Sequence, residues 1–96
     1  RIICGMEIEF DPAKDEINRE KHGASLALAE DVLSDPGRID LVDTRIDYSE
    51  DRTVTYGRVK GRVWVCVFTR RGSAYRPISV RKANDRETKR YHDTPR

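Results

Sequence analysis

Residues 53–87 read TVTYGRVKGRVWVCVFTRRGSAYRPISVRKANDRE, and this stretch decides the fold. TVTYGRV (53–59) and RVWVCVF (62–68) are rich in β-branched and aromatic residues and are joined by Lys60-Gly61, so they predict a hairpin. Val63–Phe68 is apolar on both faces, which fits a central strand covered on each side. RRGS (70–73) predicts the next turn and AYRPISV (74–80) the last strand. Pro77 has no N–H to donate to a ladder, so that strand should lie at an edge or carry a bulge at the proline. Asn84 followed three residues later by Glu87 predicts a capping box that opens a final helix, running to about Tyr91.

Working outward from that stretch, EIEF (7–10) alternates polar and apolar residues as a short first strand would. Asp11 can cap a helix with Pro12 at its first position, where the missing N–H costs nothing. That helix should run to about His22 and stop at Gly23. Ser25 can cap a second helix whose apolar stripe is Leu26, Ala29, Val32 and Leu33, ended by DPG at 35–37. IDLV (39–42) predicts a strand, and DTRIDYSED (43–51) an acidic loop. The expected fold class is α+β: one compact domain with two N-terminal helices, an antiparallel sheet of about four strands and a C-terminal helix.

Ninety-six residues are enough for one domain, near the lower end of what buries a self-sufficient core. Residues 1–5 (RIICG) read as an upstream extension or an expression remnant. No apolar run approaches the ~18–20 residues of a membrane span, and no charged-then-apolar leader is present, so a cytoplasmic protein is expected. Cys66 lies inside VWVCVF and reads as a buried reduced thiol. His22 and His92 have no cysteine cluster beside them, so neither a metal nor a cofactor is expected. Gly-rich phosphate loops, HExxH and nucleophile elbows are absent as well.

The net charge of +2 hides a strong asymmetry. Residues 1–51 hold 6 Lys/Arg against 14 Asp/Glu, and residues 52–96 hold 13 against 3, so balances of −8 and +10 sum to +2. Sorted charge of this kind either offers a basic face to phosphates or pairs the two halves with each other. In the second half Arg58, Arg62, Arg70, Arg71, Arg76, Arg81, Lys82, Arg86, Lys89 and Arg90 are interleaved with Tyr56, Tyr75 and Tyr91. Cations neutralise phosphates and aromatic faces stack on unpaired bases, whereas the plainer reading is a solvated face of snorkelling arginines.

One set of residues goes further. F-D-P-A-K at 10–14, Asn18, K-H-G at 21–23, D-P at 35–36, E-D-R at 50–52, Gly57 and R-P-I-S-V-R-K-A at 76–83, followed by Glu87 and Tyr91, resemble the BrnT-type toxins. These are the ribonuclease components of type II toxin–antitoxin pairs. The likeness runs from about Glu7 to Tyr91. The chain departs from the pattern at Phe10, where the family usually has Trp, and at Pro77, where it usually has an aliphatic residue; no charged position is affected.

The resemblance implies a RelE-like fold and metal-independent cleavage of RNA. It also implies neutralisation by a BrnA-type antitoxin that carries a DNA-binding part and represses the shared operon. Without a metal, the 2′-hydroxyl must attack the neighbouring phosphorus. A base then takes its proton, cations hold the developing charge, and an acid serves the leaving 5′-oxygen. Arg76 and Arg81 are the expected charge stabilisers, although their odd spacing puts them on opposite faces of a regular strand unless the chain bends at Pro77. Glu87, His22 and Tyr91 compete for the base. Each has a plainer alternative: Glu87 as a helix cap paired with Arg90, Tyr91 as a core plug, His22 as a charge at a helix C-terminus. Lys21, Arg52, Ser79 and Lys82 are the expected RNA-binding side chains; the plainer alternatives are a solvated Lys21, a Ser79 hydroxyl bonded to neighbouring backbone, and a cross-strand pair of Glu50 with Arg52. Rival classes are a non-catalytic nucleic-acid-binding module and a pure interaction protein.

Overall fold

The computed structural model of the chain describes residues 2–3, 6–42 and 52–95. The elements in order are β1 (Ile2–Ile3), β2 (Met6–Ile8), α1 (Pro12–His22), a 3-10 turn (Leu26–Leu28) leading into α2 (Ala29–Leu33), β3 (Ile39–Val42), β4 (Thr53–Val59), β5 (Arg62–Arg71), β6 (Ala74–Lys82) and α3 (Asp85–Asp93). The predicted loop at 43–51, and Glu50 with it, lies outside the described residues.

Local chemistry sets the helix ends. Asp11 Oδ1 accepts the Ala13 N–H at 2.8 Å with Pro12 in the first turn, and Gly23 closes α1 at φ 70°. Ser25 caps the 3-10 turn, and Asp15 of α1 accepts both the Ser25 hydroxyl (2.8 Å) and the Leu26 N–H (2.6 Å), locking the two helical segments together. The capping box at Asn84 and Glu87 is present in both directions.

The α+β class holds, but the sheet differs from the expected four antiparallel strands. Among the described residues it has six strands in the order β1-β2-β6-β5-β4-β3, and β2 runs parallel to β6. The alternation in EIEF marks a strand but not its neighbour, and the observed strand ends at Ile8 because the chain must turn to enter α1. Residues 2–3, given no weight in the sequence, pair antiparallel with β2. β5 also runs on to Arg71, leaving only Gly72 and Ser73 for the turn predicted at 70–73.

β5 is the central strand and is covered on both faces. On one face Leu26, Ala29, Val32 and Leu33 pack on Cys66, Phe68 and Val80. On the other, Tyr56, Val63 and Val65 pack with Ala83 and with Tyr91 of α3. Cys66 is fully buried, and burial pushes its thiol up to about 12, as an inert core residue requires. Gly57 lets α2 approach β4: a Cβ there would stand 2.4 Å from the Val32 carbonyl oxygen.

β6 is not an edge strand, and Pro77 is accommodated by a bulge. Phe68 pairs with Pro77 but Val67 with Ser79, so Ile78 is the extra residue. The short β2 pairs with β6 only at Ala74 and Tyr75. Further along, α1 covers the open edge. The buried Asn18 amide donates to the Val80 carbonyl (2.9 Å) and the Ala24 carbonyl (2.8 Å), and its oxygen accepts the Val80 N–H (3.2 Å). Asn18 thus replaces a neighbouring strand. Asn18→Ala leaves buried peptide groups unpaired and should destabilise the fold by about 3 kcal/mol. Thermal denaturation should show a drop of more than about 10 °C in Tm; a shift of a degree or two would mean the clamp contributes little.

Candidate active site

The bulge decides which side chains meet. Arg76 pairs with Thr69 and Arg81 with Val65. Thr69 and Val65 are four apart on one unbroken strand and share a face, so Arg76 and Arg81 share it too. A regular strand would have separated them. Ser79, opposite Val67, stands on the same face. Lys82 pairs with Trp64 and therefore stands on the other face, apart from Arg81.

At the end of β6, Arg81 grips Glu87 bidentately, Nη1 to Oε1 at 2.8 Å and Nη2 to Oε2 at 2.7 Å. The Asn84 N–H also donates to Oε1 at 2.9 Å. Glu87 is thereby held below its ordinary pKa, first by the Arg81 hydrogen bonds and then, against partial desolvation, by the Asn84 backbone. The same pairing raises the Arg81 pKa. A carboxylate with both oxygens occupied and lowered basicity is poorly suited to take a proton. Its geometry instead aims the guanidinium, which keeps 37% of its side chain exposed.

Tyr91 is buried in the core, and its hydroxyl donates to Asp35, whose Oδ2 also accepts the Arg58 N–H at 2.7 Å. The side chain thus serves as the core plug, with its polar end satisfied by a residue 56 positions away.

The remaining candidates line a groove between α1 and β6. Lys21, His22 and Ser79 line a cavity of about 240 Å³ together with Lys14, Ile17, Asn18 and Ile78. Arg52 and Arg76 line a neighbouring cavity of about 190 Å³, where Lys14 and Ile78 recur beside Arg71 and Asp11. Asp11 is committed to its helix cap, and Arg76 lies 3.8 Å from Glu9. The groove is therefore dominated by cations, and His22 is the histidine that faces it. The sequence did not single out Lys14 or Asn18 as lining residues; their spacing from Lys21 on one helix face was the available signal. Among the described residues, no three His, Cys, Asp or Glu side chains stand together as a metal site would need.

A sequence model of the ribonuclease toxin BrnT, of type II toxin–antitoxin systems, matches residues 10–87. The chain belongs to the BrnT toxin family. A search of curated proteins returned no match. Residues 10–87 span α1, the groove, the β6 bulge and the Arg81–Glu87 pair, so every described candidate except Tyr91 lies within the BrnT match. As a family of type II toxins, BrnT proteins act as ribonucleases and are countered by a protein antitoxin.

Because folding lowers the Glu87 pKa, the folded chain binds fewer protons than the unfolded one below the ordinary value of 4.5. The pair's contribution is full above that value and is lost as pH falls through the lower folded pKa. Between about pH 6 and about pH 3, the wild type should lose about 1 kcal/mol more stability than Glu87→Gln, a modest figure because Arg81 is partly solvated. Urea denaturation across that range checks it, and parallel pH profiles would rule out the coupling.

Proposed function

We propose that this BrnT chain is a metal-independent endoribonuclease that cleaves single-stranded RNA by turning the 2′-hydroxyl onto the adjacent phosphorus. The O2′–P bond forms and the P–O5′ bond breaks, leaving a 2′,3′-cyclic phosphate and a 5′-hydroxyl. The base takes the O2′ proton and, now protonated, delivers one to O5′ as the P–O5′ bond breaks. Arg76 and Arg81 hold the extra negative charge on the equatorial oxygens in the transition state. The observation that carries this reading is the β6 bulge, whose register turns both arginines to one face.

His22 is assigned the proton transfers. Its side chain lines the groove, whereas Glu87 has both oxygens in hydrogen bonds and the Tyr91 hydroxyl is given to Asp35. An imidazole can accept a proton on one ring nitrogen and give it back. Glu87 acts as a positioning residue for Arg81. Lys21, Arg52 and Ser79 bind the RNA backbone along the groove, and Lys82, on the other sheet face, has no part at the scissile phosphate.

In the cell, the same reading has a single RelE-like toxin domain act in the cytoplasm, inhibiting translation and growth. A BrnA-type antitoxin with a DNA-binding part neutralises it, and the complex represses their operon.

Purified protein incubated with labelled single-stranded RNA in excess EDTA should cut it and leave cyclic phosphate ends. Arg76→Ala and Arg81→Ala should each slow cleavage by about 100-fold or more, with Tm within a few degrees of wild type. RNA that is bound but never cut, even with ribosomes added, would instead mark a non-catalytic binding module.

A further inference from the structure

Ile17 is 53% exposed, a large apolar side chain left open beside the groove between α1 and β6. Single exposed apolar residues are ordinary on a protein surface, but this one has unusual company. Lys14, Ile17, Asn18 and Lys21 are three or four residues apart and so share one face of α1. Ile17 lines the 240 Å³ cavity opposite Ile78, the extra residue of the β6 bulge. An apolar floor therefore lies between two ammonium groups. Lys14 and Ile78 also line the cavity that holds Arg76, so the two cavities adjoin and lead to Arg76.

Phosphates spaced on either side of a flat base call for this arrangement: cations at the ends and an apolar surface between them. We propose that Ile17 and Ile78 form the floor of a base-binding subsite for a nucleotide beside the cleaved bond of a single-stranded RNA, with Lys14 and Lys21 holding its flanking phosphates. The inference rests on the RNA-cleaving reading above. It adds an assigned place for a neighbouring nucleotide and a residue, Ile17, that discriminates base from no base. An antitoxin segment is the competing occupant; continuity with the Arg76 cavity and the excess of cations favour RNA.

The test uses a short single-stranded RNA, 2′-O-methylated at every sugar so that it cannot be cut, with an abasic site moved along it one position at a time. Binding to the full chain is read by fluorescence anisotropy, so the result is independent of whether unmodified RNA is cleaved. Wild type should show one position where loss of the base weakens binding by about fivefold. Ile17→Ser should erase that position-specific loss, and exposure of Ile17 means the variant should keep its Tm within a few degrees. Lys14→Ala should reduce the slope of log affinity against log salt by about one. A wild-type profile indifferent to the base at every position would overturn the subsite. So would an Ile17→Ser variant that keeps the wild-type RNA profile and fails only in neutralisation by the antitoxin, which would give the surface to the protein partner.

Discussion

β2 pairs with β6 only at Ala74 and Tyr75, and a buried strand edge cannot leave its later peptide groups without partners. The Asn18 side chain supplies both a donor and an acceptor to Val80 and fixes α1 alongside the strand. From that contact come the groove itself, the presentation of Lys14, Lys21 and His22 to it, and the path toward Arg76. Asp15 adds a second tether, tying α1 to the start of the 3-10 turn through Ser25 and Leu26.

A second constraint acts on the same strand. Pro77 cannot join a regular ladder, and the strand absorbs it by adding Ile78 as a bulge. The extra residue reverses the alternation upstream of it, which is why Arg76 and Arg81 share a face despite their odd spacing. A local irregularity thus sets the geometry of the proposed charge-stabilising pair. The capping box at Asn84 then fixes Glu87 where it can grip Arg81. One carboxylate both starts a helix and aims a guanidinium, and that double use explains its lowered basicity.

Signals confined to a few residues were legible in the sequence. Asp11-Pro12, Gly23, Ser25, Lys60-Gly61 and the Asn84/Glu87 spacing each named its element, because caps and tight turns are chemistry between near neighbours. Pro77 announced an edge or a bulge, and only the register with Phe68 and Val67 decided between them. The parallel pairing of β2 with β6 was illegible, since alternation in a strand says nothing about its partner. Asn18 read as an ordinary polar helix residue, because its partner Val80 is 62 positions away. For Tyr91 the sequence permits a core plug, but the bond to Asp35 that satisfies its hydroxyl joins two distant segments. A basic cluster can be read from composition, whereas roles within it depend on which side chains are already engaged, as Glu87 is by Arg81.

In the proposed chemistry Arg76 and Arg81 act together on one phosphate. A double-mutant cycle on single-turnover RNA cleavage tests it most directly, comparing Arg76→Ala, Arg81→Ala and the double variant. Residues that act as a unit are strongly non-additive, so the double variant should be little slower than the slower single one. Losses that multiply would mean that the two arginines serve separate phosphates and that the bulge does not build a common site.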